Sequence, residues 1–180
     1  MASWKTRGLR GSMLEESLNM TNEHYRREKL GLVQKIPTPI TPMEFDKEHH
    51  HITLAYFEQK STVDYLGNVQ GIPICFDAKE CAVDTFPLQN IHQHQMDFMR
   101  EFEEQDGISF FIIYFSNRNE YYYVPYRHMV KFWTRAEEGG RKSFRREELD
   151  SMYRISLRGQ VFVHYLEAVQ RDLDQREHNI

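Results

Sequence analysis

A mixed α/β sheet with helices packed on it, and an arm projecting from it, is the fold class this sequence predicts. Three observations carry that reading. "GISFFIIYF" (107–115) is a near-continuous run of apolar, β-branched and aromatic residues, the pattern of a strand covered on both faces. Stretches with apolar residues at helical spacing flank it on either side along the chain. Prolines 37, 39 and 42 in "KIPTPITP" (35–42) forbid a helix there and favour an extended arm.

Residues 1–11 are basic, contain glycine and are expected to be flexible. Residues 12–180 are expected to form one domain that includes the arm at about 35–60. Ser12 opens a helix in which Leu14, Leu18, Asn22 and Tyr25 share a face, and Ser12-x-x-Glu15 is a capping box. "ITLAYF" (52–57) reads as a strand. A hairpin turn follows at "LGNVQG" (66–71), with Gly and Asn expected at the positive-φ positions. "IPICFDAK" (72–79) is its second strand, and alternation puts Ile74, Phe76 and Ala78 on one face and Cys75, Asp77 and Lys79 on the other.

From Leu88 to Phe102 the apolar stripe predicts a helix, with Gln95 as one polar residue inside it. That amide is either buried and hydrogen-bonded in the core or turned toward a functional cleft. After the 107–115 strand and the turn "SNRN", "EYYYV" (120–124) continues as a strand. "HMVKFWTRA" (128–136) suggests a helix, "EEGGRKS" (137–143) a basic loop, and "FVHYLEAVQRDL" (162–173) a closing amphipathic helix.

At 180 residues, 40% of them hydrophobic, the chain can bury a core without covalent staples. No apolar run approaches bilayer length, and the N-terminus lacks a signal-peptide core. Cys75 and Cys81 form no metal-type pair, and a reduced cytoplasmic protein is expected. His92 and His94, two apart on a helix, face apart and do not predict a zinc site. The tyrosines and Trp133 read as core and dimer-interface material rather than a stacking platform for bases.

A net charge of −4 speaks against a protein that coats nucleic acid nonspecifically. Its distribution is more informative. Between Tyr126 and Arg146, seven basic residues face only Glu137 and Glu138, so Arg141, Lys142 and Arg145 are candidate DNA contacts. Residues 44–58 are acidic instead, with Glu44, Asp46, Glu48 and Glu58 against Lys47.

Asp77 and Lys79 leave one face of a strand, with Asp64 upstream in a turn-rich stretch. Two readings fit: a salt-bridged hairpin, or the metal site of a nuclease. Phosphodiester hydrolysis uses carboxylates to hold Mg²⁺, which neutralises phosphate charge and generates a nucleophilic hydroxide. A nearby lysine can orient the water or stabilise charge developing on phosphorus. Asp64, Asp77 and Glu15 are the candidate metal ligands, the Ala78 carbonyl is a further donor, and Lys79 is the candidate catalytic ammonium.

The order of motifs adds to this. "RGSMLEESLNMTNEHY" (10–25), "KIPTPI" (35–40), "AYFEQKSTVDYLG" (55–67), "FDAKE" (76–80), "FPLQNIHQHQMDFM" (86–99), "QDGISFFII" (105–113), "FWTR" (132–135) and "GGRKSFRREEL" (139–149) follow one another. The series resembles the RecU family, Holliday junction resolvases of Gram-positive bacteria and their relatives, over roughly residues 10–167. The resemblance implies a restriction-endonuclease-like fold, a homodimer, and Mg²⁺-dependent (or Mn²⁺-dependent) paired nicking of four-way DNA junctions. Work on the nucleoid in the cytoplasm, with branch-migration and recombinase proteins as further partners, goes with it. It matches Asp64, Asp77 and Glu15 to the family's carboxylates and Lys79 to its lysine. It puts Arg10 on an arginine that contacts DNA or a partner, and Thr62 in the polar approach to Asp64. The family's arm is expected to enter the opening at the junction centre. Three departures stand out: Asp77 replaces a glutamate, Val63 replaces a hydroxyl residue, and the arm is acidic with His49, His50 and His51 at its tip. A catalytically weakened junction-binding protein and a duplex endonuclease of the same fold are the alternative functions.

Overall fold

The computed structural model describes residues 13–57, 62–157 and 163–178. Ser12 and Arg10, and with them the capping box and the arginine contact, lie outside the described residues. Helix α1 (Met13–Arg27) is followed by strand β1 (Leu32–Lys35), then by β2 (Ile40–Asp46) and β3 (His51–Phe57). Strands β4 (Tyr65–Val69) and β5 (Ile72–Cys81) precede a short β6 (Thr85–Pro87) and α2 (Gln93–Glu103). Next come β7 (Ile108–Phe115), β8 (Glu120–Pro125) and α3 (Tyr126–Glu137). The short β9 (Ser143–Arg145) and β10 (Arg154–Ile155) lead to α4 (Leu166–Glu177).

Six strands form one sheet in the order β1-β4-β5-β7-β8-β10. Only β5 and β7 run parallel, with α2 in the connection between them, so the sheet is mixed as its sequence predicts. All eight residues of β7 are buried, as expected of a central strand. Two apolar clusters explain this. Leu14, Leu18 and Tyr25 of α1 pack with Ala168 and Val169 of α4 against one face of the sheet. Met96 and Met99 of α2 and Met129 of α3 pack against the other. The alternation read in β5 holds: Ile74 and Phe76 enter the first cluster and Cys75 the second.

Aromatic rings fix the register across the first face. Tyr65, Phe76, Phe110 and Tyr123, one from each of four neighbouring strands, lie 4.6, 4.8 and 4.4 Å apart between successive ring centroids. Each such contact contributes ~0.5–1.5 kcal/mol beyond area burial, and a one-residue slip would break all three. On this face Asp172 of α4 is fully buried and accepts from the Tyr123 hydroxyl at 2.8 Å. Arg127 and Arg176 pair with the same carboxylate, which pins α4 to β8 and α3.

The β4–β5 turn differs from its prediction. Gln70 (φ 51°) and Gly71 (φ 93°) hold the two left-handed positions, as a two-residue hairpin turn requires. Asn68 instead accepts the Gly71 N–H at 2.8 Å through its side chain. The helix expected from Leu88 to Phe102 is also divided. Leu88–Asn90 is a 3₁₀ turn, Ile91 and His92 are extended, and α2 begins at Gln93. Leu88 and Ile91 still bury their side chains, so the apolar stripe is real while the helix is not continuous. At Gly67 a Cβ would come 2.4 Å from the Leu32 carbonyl oxygen, so this glycine lets β1 lie closely against β4.

The arm is the β2–β3 hairpin, bulged near Met43, which pairs with no strand of the main sheet. It leaves Met43, Phe45, Ile52, Leu54 and Tyr56 exposed. Lys35 belongs to the main sheet, opposite Tyr65, so the arm begins beyond it. Among the described residues no helix is long and apolar enough to cross a membrane.

Candidate active site

The β4–β5 hairpin brings Asp64 and Asp77 together. Tyr65 lies opposite Phe76, so the residue before β4 meets the residue after Phe76 across the strand pair. The two aspartates are cross-linked through backbone. Asp64 N–H donates to Asp77 Oδ1 at 2.9 Å, and Ala78 N–H donates to Asp64 Oδ2 at 3.0 Å. Lys79, two residues along β5, puts its ammonium 2.5 Å from Asp77 Oδ2. Gln95, in the first turn of α2, donates its amide to the same oxygen at 2.7 Å. The Gln95 carbonyl oxygen in turn accepts from His92 N–H at 2.9 Å, which fixes the amide by capping the helix.

Asp77 is wholly buried and Gln95 nearly so. Gln95 is therefore both things the sequence left open, a buried hydrogen-bonded amide and a side chain at the cleft. Burial pushes the Asp64 carboxyl up to about 6, and the adjacent charge of Asp77 adds to the shift, against the Ala78 N–H and Lys79. One ammonium faces two carboxylates, and the pair carries one uncompensated negative charge. Such a site favours a further cation. Mg²⁺ commonly takes one or two protein carboxylates and completes its shell with water and substrate phosphate oxygens. Asp64 and Asp77 fit that requirement, both being hard oxygen donors held rigidly.

Glu15 is placed differently. Its Oε2 accepts from Lys35 Nζ at 2.7 Å, and its charge acts with that of Asp64 on the Tyr65 hydroxyl. Ile36 N–H donates to the Asp64 carbonyl at 2.8 Å. The Glu15–Lys35 pair thus borders the aspartates without joining them, and among the described residues no three His, Cys, Asp or Glu side chains form a metal-holding group. Lys35 carries no signal in the sequence, because its partner is twenty residues away on another element.

Thr62 is exposed two residues before Asp64, while Val63 is fully buried in the α2–α3 core cluster. Position 63 therefore points away from the cleft. Cys75 shares the β5 face of Asp77, but burial pushes its thiol up to about 12, which keeps it neutral and inert.

The basic segment is less charged than its sequence implies. Arg135 and Arg141 both pair with Glu148, which lies just beyond it, and Arg141 Nε also donates to the Ser143 carbonyl. Arg145 sits on β9, which pairs with β6. Lys142 accepts the Leu88 N–H through its carbonyl. Arg141, Lys142 and Arg145 thus flank the segment leading into Gln95, rather than the aspartates themselves.

The raised Asp64 carboxyl gives a testable pH dependence. The unfolded chain releases this proton near 3.8 and the folded chain near 6, so folding takes up a proton between those values. Stability rises as pH falls through about 6, and the full penalty applies above it. Asp64→Asn removes the charge and keeps an oxygen for the Ala78 N–H. It should stabilise the metal-free protein by about 1–3 kcal/mol at pH 8, with the gain vanishing near pH 4; urea titrations at the two pH values measure both.

The family model described as RecU, Recombination protein U, matches residues 9–171. The Holliday junction resolvase RecU of Bacillus cytotoxicus is 42% identical over 149 residues, covering 81% of this chain and 74% of the relative. That of a Geobacillus species is 38% identical over 169 residues, covering 91% and 84%. Among solved structures, Archaeoglobus fulgidus Hjc, a Holliday junction resolvase, matches 65% of this chain and 78% of its own with a TM-score of 0.41 and 8% identity. The chain belongs to the RecU family.

Proposed function

We propose that the chain is a Holliday junction resolvase that cuts four-way DNA junctions in recombination and repair. The observation that carries this reading is the pair Asp64–Asp77, locked to each other through backbone and joined by Lys79 and Gln95. A hairpin salt bridge alone gives no reason to set a second, half-buried carboxylate against the first.

Mg²⁺ held by Asp64 and Asp77, with Glu15 at the border of the site, would polarise the scissile phosphate and activate water. Mn²⁺ suits the same oxygens. The chain's own residues supply the rest. Gln95 and Lys79 hold Asp77 in one orientation, and the Lys79 ammonium stands where charge develops on the phosphoryl oxygens. Two copies related by a two-fold axis would nick two symmetric strands, matching enzyme symmetry to junction symmetry. The arm would enter the junction centre, and Thr62, Arg10, Arg141, Lys142 and Arg145 are the candidate DNA contacts around it. Chromosomal DNA in the cytoplasm is the corresponding place of action, with branch-migration and recombinase proteins as further partners.

A synthetic four-way junction and a linear duplex of the same sequence, each with and without Mg²⁺, test the reading. Paired nicks in the junction alone, only with Mg²⁺, are expected. Binding without cutting assigns the chain to junction binding, and cutting of the duplex assigns it to duplex cleavage.

A further inference from the structure

Two histidines that a continuous helix would send apart lie together at the start of α2. His92 is extended and precedes the helix, so its ring stacks on that of His94, with centroids 5.4 Å apart and planes 14° apart. His92 is exposed and His94 half-buried, so the second ring backs the first. One amide ties them to the aspartates. His92 N–H donates to Gln95 Oε1, and Gln95 Nε2 donates to Asp77 Oδ2. The His92 nitrogen is therefore no more than about 8 Å from that carboxylate oxygen, across a single planar amide. Gln93 turns toward Trp133 of α3 and Gln95 toward β5. At about 100° per residue, His94 stands on the outward side of the helix between them. Among the described residues no third His, Cys, Asp or Glu joins the pair to make a metal site.

We propose that His92, backed by His94, donates a hydrogen bond to the backbone phosphate next to the scissile one. The proposal rests on the DNA-cleaving function above. Reach is the first argument. A strand carries one phosphate per about 3.4 Å of duplex axis, so with one phosphate at the aspartates a neighbour passes within the span of the His92 side chain. Chemistry is the second. An imidazole presents an N–H in either tautomer, and a phosphodiester oxygen accepts it. Continuity is the third. Thr85 pairs with Arg145, and Leu88 N–H donates to the Lys142 carbonyl. The chain that carries His92 thus runs from two cations to the carboxylate pair, and donors in that order follow a phosphate backbone rather than a base. Asp97, Glu101 and Glu104 gather around Arg100 on the following turns of α2, which confines the contact to the helix start. A phosphate held at His92 would fix how far the strand is threaded past Asp64 and Asp77, which makes His92 a positioning residue for the incision.

The test is a cycle between His92→Ser and single uncharged methylphosphonates walked through the strand around the incision point of a four-way junction. Binding is titrated in the Asp64→Asn background, where the strands stay intact. Serine keeps an N-cap oxygen and the backbone N–H that holds Gln95, and loses the imidazole. His92→Ser should weaken binding about three- to twentyfold. One methylphosphonate next to the incision should weaken it equally, and the two changes together should add nothing more. His92→Gln, which returns an N–H donor, should restore most of the affinity. Additive effects at every position, or binding unchanged by His92→Ser, overturn the proposal. Coupling to a single abasic site instead gives the ring to a base and likewise overturns it. A second measurement leaves position 92 intact: the imidazole ¹⁵N–¹H signals of His92 should shift with the intact junction and far less with the same methylphosphonate in place. Signals indifferent to DNA overturn the contact. Slower cleavage by His92→Ser without coupling in binding makes His92 a brace for Gln95 alone, which also overturns it. Junction cleavage without coupling removes this contact only, whereas no binding to any junction removes the proposed function as well.

Discussion

Asp64→Ala should lower the single-turnover rate of junction cleavage by about a thousandfold or more while leaving junction binding largely intact. The size follows from what the carboxylate does. With Asp77 it forms the two-carboxylate oxygen set of the site, and a bound divalent cation contributes several kcal/mol of charge stabilisation to such reactions, at about 1.4 kcal/mol per tenfold in rate. Loss of fold does not provide a competing explanation. The Asp64 backbone N–H and carbonyl, which hold Asp77 and Ile36, survive the substitution. Removing the buried charge also lifts the penalty that pushes the carboxyl up to about 6. Under the proposed function, junction binding would draw on cations elsewhere on the surface, so a gel-shift titration should separate from the cleavage assay. A variant that cuts at the wild-type rate in Mg²⁺ would remove Asp64 from the site.

Much of this arrangement is legible in the sequence because it depends on local periodicity. The faces of β5 follow from alternation alone, and burial of β7 on both sides follows from its unbroken apolar run. What the sequence leaves obscure depends on distance or on competition between local preferences. An apolar stripe continues through Leu88 and Ile91, yet His92 is extended because its N–H is taken by the Gln95 side chain, which starts the helix there. Gln70 occupies the left-handed position given to glycine or asparagine, since the hairpin register outweighs the residue's own preference. The Glu15–Lys35 pair joins α1 to β1, and no window of sequence contains both ends of it with a reason to pair them. The charge of the 126–146 segment is readable, but not its partial compensation by Glu148, which only the fold of the β9 region brings to Arg135 and Arg141.

Lys79→Met provides the second large effect, and it separates the metal-site reading from the salt-bridge reading. Methionine keeps the length and packing of the lysine stem and removes only the ammonium, now 2.5 Å from a carboxylate with no exposure to solvent. Breaking a buried pair by removing one partner costs about 3–5 kcal/mol. Because the lysine side chain is 17% exposed, about 2–4 kcal/mol is expected here. A buried and a half-buried carboxylate would then face each other without a cation, and the Asp64 carboxyl should rise further. If the pair is a cation site, Mg²⁺ at concentrations well above its dissociation constant should stabilise Lys79→Met more than the wild type, since binding to the folded state alone adds to stability. Under the proposed function cleavage should stay lost, because the ammonium assigned to the developing phosphoryl charge is gone. Thermal melts with increasing Mg²⁺ read the first effect and junction cleavage the second. A hairpin salt bridge predicts the destabilisation but no response to Mg²⁺, so a melt indifferent to the ion would leave Asp77 and Lys79 as structural partners only.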